Sequence, residues 1–191
     1  MIISNGGMVS NRFGYVGFLE SASGSLVRVE GAGSYWYNQL NVNLGQASAG
    51  NELWILSGGS VRAVNVFAGF NEVGSSNNLI VVGGGGSVLT NTANLTVGRL
   101  GGYNRLVISN GGTVYDNLGY VGSGLDSDSN VVEVMGLWTN RGGLTLGDTG
   151  ALNTVIVSGG GKVYNSSLTL GSQVESEGNR ALVTGAGSAW T

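Results

Sequence analysis

The chain of 191 residues contains no cysteine, no histidine and no proline. Without cysteine there is no disulfide framework and no thiolate metal site. Without histidine the commonest proton shuttle near neutral pH is missing. Charge is scarce too. Asp, Glu, Lys and Arg make up 10% of the residues and the net charge is −3, so no basic face exists that is large enough to hold nucleic acid through its phosphates. No run of 18 apolar residues occurs, so no membrane insertion by this segment is expected. A basic stretch followed by an apolar one is likewise missing at the start, and no signal peptide is expected there. What the chain has instead is glycine, 37 residues of it. Without proline and without a three-residue period this is not collagen-like, and the many β-branched residues argue against disorder.

The glycines punctuate an internal repeat, the first feature to seek because it decides the fold. Taken as a ruler, Ser25, Asn51, Asn77, Asn104, Asn130, Asn153 and Asn179 are spaced by 26, 26, 27, 26, 23 and 26 residues. Two and four residues beyond each lies an apolar pair: Val27/Val29, Leu53/Ile55, Leu79/Val81, Leu106/Ile108, Val132/Val134, Val155/Val157 and Ala181/Val183. Such alternation puts both side chains of a pair on one face of a strand. A second series, Asn11, Asn38, Asn65, Asn91, Asn117, Asn140 and Asn165, follows a glycine turn, and a third, Gly17, Gly45, Gly69, Gly98, Gly122, Gly147 and Gly171, closes the last strand of each unit.

Each unit thus carries three short strands, too few to bury an apolar face alone. Stacked in parallel at roughly 4.8 Å per coil they bury one jointly, and equivalent asparagines form amide ladders. The expected fold is all-β: one right-handed parallel β-solenoid over residues 1–191, of about seven coils of roughly 26 residues, uncapped at both ends. Coil Val131–Asn153 is short, and its loss falls in the first turn, at Met135-Gly136-Leu137-Trp138. Turns of the Ser-Asn-Gly-Gly or Ser-Gly-Gly kind (Ser4, Ser57, Ser109, Ser158) interleave with Gly-Ala-Gly-Ser kinds (Gly31, Gly83, Gly185), so the larger period spans two coils.

The segment Val183 to Thr191, reading VTGAGSAWT, resembles the VTGAGSxWxN half of a repeat found in bacterial autotransporter passenger domains and proteins associated with the PEP-CTERM sorting system. Leu106 to Gly112 is similar to its LxISNGGxV half, and Leu144 to Gly147 to its LTLG link. The resemblance covers nearly the whole chain, coil by coil. It implies a secreted or surface-displayed β-helical stalk, often adhesive, with an extracellular or cell-surface location and no catalytic residue to carry over.

Function is then sought in what varies between coils. Catalysis by a β-helix needs clustered Asp with a basic partner, and four Asp with one Lys and no His do not supply it; no enzyme and no cofactor are expected. Seven acids lie in the loops before the ruler positions: Glu20, Glu72, Asp126, Asp128, Asp148, Glu175 and Glu177. No metal site is expected, and the groups nearest to one are Asp126, Asp128, Asp148, Glu175 and Glu177, which stacking would bring within reach of a bridging Ca²⁺; the plainer reading is a solvated edge. Eleven residues beyond the ruler stand Trp36, Tyr115, Tyr164 and Trp190, with Trp138 equivalent in the short coil. If Val61, Val114 and Val163 point inward, these rings point outward, either as a column for glycan or a host surface, or as a shield over the first corner. The remaining partners expected are flanking repeats or a second copy stacked head to tail, since Met1 falls where Leu106 does in its unit and Thr191 falls mid-coil.

Overall fold

A computed structural model describes all residues except Glu72, Val73 and Asn110; Glu72 of the acidic edge and Asn110 of a turn therefore lie outside the described residues. Among the described residues there is no helix. The coil that begins at Asn104 shows the plan: strands Arg105–Ile108, Thr113–Asp116 and Leu118–Val121, joined by two corners and followed by a loop. Each strand pairs in parallel with its equivalents one coil before and one coil after, so the chain builds three parallel sheets, of eight, eight and seven strands. The fold is a β-solenoid.

The interior is filled by columns of side chains, one residue per coil. The first sheet sends in all but one of the pairs predicted from the alternation between Val27/Val29 and Val155/Val157, and these are buried. One pair is corrected. Ile80 and Val82 are the buried residues of their strand, while Leu79 and Val81 face outward. A slip of one residue exchanges the two faces of a strand, and the slip traces to the ruler. The ladder residue of that coil is Asn78, not Asn77. Asn78 Nδ2 donates to Asn104 Oδ1 at 2.9 Å, and Asn51 Nδ2 to Asn78 Oδ1 at 2.9 Å. Asn77 takes the left-handed conformation just before it, with φ of 55°. The same conformation recurs one residue before every ladder position, at Gly24, Gly50, Tyr103, Ser129, Leu152 and Gly178. Asparagine tolerates it better than most side chains, so two adjacent asparagines fill two different jobs.

The ladder itself runs unbroken. The Oδ1 of each asparagine accepts the backbone N–H of the ladder residue one coil earlier, from Ser25 to Asn51 at 3.0 Å through to Asn153 to Asn179 at 2.8 Å. These N–H groups leave the strand at a corner, where no sheet partner is available, and buried donors must be satisfied. The closing glycines complete the device. Gly98 has φ of 78°, and a side chain there would run into the amide of Asn130. Gly45, Gly69, Gly122 and Gly147 face Asn78, Asn104, Asn153 and Asn179 in the same way.

Candidate functional site

The second sheet places the three predicted tryptophans in the core. Trp36 pairs with Val61 and Trp138 with Val114, both of which are fully buried, so the rings occupy the inward column; Trp36 is 3% and Trp138 1% exposed. Trp190 aligns with Val163 in the same column. The outward aromatic column therefore does not exist as expected. Of its members only Tyr115 and Tyr164 face solvent, with Thr139 between them. The reason is the corner length. Coils with Gly-Ala-Gly-Ser turns spend one residue more between ladder and second sheet than coils with Ser-Gly-Gly turns, so a fixed count of eleven lands on opposite faces.

Each buried indole N–H needs an acceptor, and the preceding coil provides it. Trp36 Nε1 donates to Asn11 Oδ1 at 2.9 Å, Trp138 Nε1 to Asp116 Oδ1 at 3.3 Å, and Trp190 Nε1 to Asn165 Oδ1 at 2.5 Å. Space for the rings comes from Gly14 and Gly119 of the third sheet, where a Cβ would strike Trp36 and Trp138. The acceptors belong to the second polar column, which reads Asn11, Asn38, Ala63, Asn91, Asp116, Asn140 and Asn165. Two members named from the sequence are corrected. Asn65 stands instead at the start of the third sheet, donating to Asn41 Oδ1 at 2.9 Å, and Asn117 is exposed at the corner. Ala63 and Asp116 fill their places.

Asp116 is the one carboxylate in this buried column. It is 2% exposed, and burial pushes its pKa up from 3.8 to about 7, with the Trp138 hydrogen bond acting in the opposite direction. Its Oδ2 has no partner, and neither side-chain polar atom of Asn91 or Asn140, on either side of it, has one. A cavity of about 50 Å³ opens beside Asn91 and Asp116 toward the corner, bounded by Tyr115, Asn117 and Arg141.

The acidic loops do not assemble a metal site. Among the described residues no three of His, Cys, Asp and Glu come together. Long loops alternate with short ones along the axis, and the acids Asp126/Asp128 and Glu175/Glu177 both ride on long loops, two coils and so roughly 10 Å apart. Asp148 sits on the short loop between. Asp128 Oδ1 is already occupied, accepting the N–H of Ala151 at 2.7 Å, and Asp126 holds a left-handed turn with φ of 61°.

The surface that sequence reasoning missed is the outer face of the first sheet. Two columns define it: Leu26, Glu52, Leu79, Arg105, Val131, Thr154 and Arg180, and beside it Ile2, Arg28, Trp54, Val81, Val107, Glu133, Ile156 and Leu182. Trp54 is the outward tryptophan of the four. Its Nε1 donates to Glu52 Oε2 at 2.8 Å, and with Leu26, Arg28 and Glu52 it lines a shallow groove of about 200 Å³. Ion pairs join Arg28 to Glu30 at 2.6 Å and Arg105 to Glu133 at 2.7 Å. The signal was present in the alternation itself, since residues at one and three beyond each ladder position must face out.

The site and the coils define a three-sheet β-solenoid with one largely apolar outer face. No family model, no curated protein and no solved structure matches the chain.

Proposed function

We propose that this chain is a non-catalytic structural segment of a bacterial extracellular or cell-surface protein, a rigid rod of the autotransporter-passenger type with an adhesive context. The observation that carries the reading is the unbroken asparagine ladder from Ser25 to Asn179, which ties every coil to the next through buried hydrogen bonds. A stack held that way is tied from each coil to the next by bonds additional to the sheet pairing, which suits an elongated rod. The regularity of the residues supports the same reading: ladder, glycines and core columns are all used for stacking, and the column's buried carboxylate lacks the basic partner that acid–base catalysis needs.

The last coil supports extension of the rod. Leu168, Leu170 and Val183 in the last coil are exposed apolar groups, while Leu144, Leu146 and Val157 at the same positions one coil earlier are fully buried. Further coils of this type, from flanking repeats or from another copy stacked head to tail, would cover them. Electron microscopy of the purified chain tests this. Straight, unbranched particles of uniform width, with lengths in multiples of roughly 35 Å, are expected from seven to eight coils at roughly 4.8 Å each. Globular or flexibly bent particles would count against a rigid rod, and single short rods at every concentration would count against head-to-tail stacking.

A further inference from the structure

We infer that the outer face of the first sheet pairs with the same face of a second copy, with the two solenoid axes antiparallel about a two-fold axis beside Leu79 and Val81. The face bears an order of charged and apolar side chains that is its own complement. A half-turn about an axis parallel to the strands keeps each residue's place along its strand and reverses the order of the coils. With the strand of Leu79 and Val81 on that axis, Glu52 of one copy lies opposite Arg105 of the other, and Arg28 opposite Glu133. By symmetry each opposition occurs twice. The apolar residues match as well: Trp54 meets Val107, Leu26 meets Val131, and Ile2 meets Ile156.

Among placements within one coil, only this one opposes unlike charges; Arg180, four coils from the axis, lies beyond the partner's first strand. An axis one coil earlier sets Glu52 against Glu52, and one coil later sets Arg105 against Arg105. An axis half a coil away in either direction puts Arg28, Glu52, Arg105 and Glu133 all against apolar residues, which leaves charges buried without a partner. In the chosen placement no existing contact is given up. Arg28 keeps Glu30, Arg105 keeps Glu133, and the Glu52 carboxylate, already holding the Trp54 indole, gains a guanidinium. Such an interface is isologous, as a two-fold requires. Seven overlapping strands bury roughly 1,000 Å² in total, counting roughly 4.8 Å per coil and 3.3 Å per residue, which is the lower bound for a specific interface. The association is therefore weak and concentration-dependent.

Sedimentation velocity across a concentration series tests it. The chain is expected to pass from one to two copies as concentration rises. Glu52→Arg and Arg105→Glu are each expected to weaken the pairing at least about tenfold, because two opposed pairs become like-charged. The double variant E52R/R105E restores it. Val81→Arg, on the two-fold, abolishes it. Thermal unfolding of each variant, unchanged within a few degrees, separates a lost interface from a lost fold. A chain that stays single up to about 1 mM, an association indifferent to all three substitutions (as head-to-tail stacking would be), or a double variant no better than the single ones would overturn the proposal.

Discussion

Replacing Asp116 by asparagine is expected to stabilise the protein and to do so more as pH rises. The side chain sits in a column that holds asparagine at every other position but Ala63, it is almost fully buried, and burial raises its pKa from 3.8 to about 7. In the unfolded chain the carboxyl ionises near 3.8; in the folded chain it keeps its proton until about 7. Between those values the folded state binds more protons, so the contribution of Asp116 to stability falls as pH rises through that window and is flat on either side. The interval corresponds to roughly 4 kcal/mol at 1.36 kcal/mol per unit. No ion pair relieves the charge: among the described residues the two pairs are Arg28 with Glu30 and Arg105 with Glu133, and Arg141 lines only the mouth of the adjoining cavity. Asparagine has the shape of the protonated acid, accepts the Trp138 N–H, and never ionises. Urea unfolding of both proteins at a series of pH values from 4 to 8.5 measures the difference. At pH 4 the two should agree within about 1 kcal/mol, and by pH 8 the variant should lead by several, on the order of the 4 kcal/mol above. A difference that stays constant across the series would refute the reasoning, since it would mean that Asp116 titrates alike in both states.

Three other substitutions probe the stacking devices. Asn130→Ala removes the acceptor of the Asn104 N–H, which is fully buried, and is expected to cost about 1–3 kcal/mol in a thermal or urea melt. Gly98→Ala sets a methyl group against the Asn130 amide at a φ of 78° and should lose at least about 3 kcal/mol, strain and overpacking together, in the same measurement. Leu152→Gly acts in the other direction: the leucine holds φ of 58° while its side chain is exposed, so relief of left-handed strain should raise stability by up to about 1 kcal/mol, read as a higher unfolding midpoint.

The solenoid was legible in the sequence because its period is carried by residues with few substitutes. The closing glycines must hold a positive φ against an asparagine, and the ladder asparagines must reach a backbone N–H one coil away. Neither job tolerates much variation, and all seven glycines named from the sequence take the left-handed conformation. Leu144 and Leu146, in the link before Gly147, are buried as their alternation requires. Registers were harder. Asn77 and Asn78 are adjacent, chemically identical and structurally opposite, one a left-handed corner and the other a ladder rung. Nothing local separates them. The cue is lost in the next strand, where Leu79 to Val82 is apolar at every position and so accepts either face inward, unlike Val132 to Val134, where Glu133 interrupts.

The tryptophans show why counting from one landmark fails in this chain. From the ladder residue to the inward position of the second sheet takes eleven residues in the coils of Trp36, Leu89 and Trp190, but ten in those of Val61, Val114 and Val163. From there to the inward position of the third sheet takes six in the first kind, as from Trp36 to Val42, and five in the second, as from Val61 to Val66. The following loop compensates, being short where the corners are long. Outside the short coil of Trp138, coil length thus stays at 26 or 27 residues while corner lengths alternate, and the structural unit is a pair of unlike coils. That pairing has a packing cause. Trp36 and Trp138 share the long second corner, six residues to Val42 and to Leu144, although the first corner before Trp138 is cut to eight, and each rests on a glycine and a polar acceptor in the coil before it: Gly14 with Asn11, and Gly119 with Asp116. Where the long-cornered coil carries Leu89 instead, no N–H needs an acceptor, and the column below it holds Ala63. Large residue, gap and acceptor occur together at Trp36 and Trp138, whereas Trp190 keeps the acceptor, Asn165, over Leu168 in place of a glycine. The acids follow the same rhythm by riding on the long loops, which is why stacking separates Asp126 and Asp128 from Glu175 and Glu177 rather than joining them.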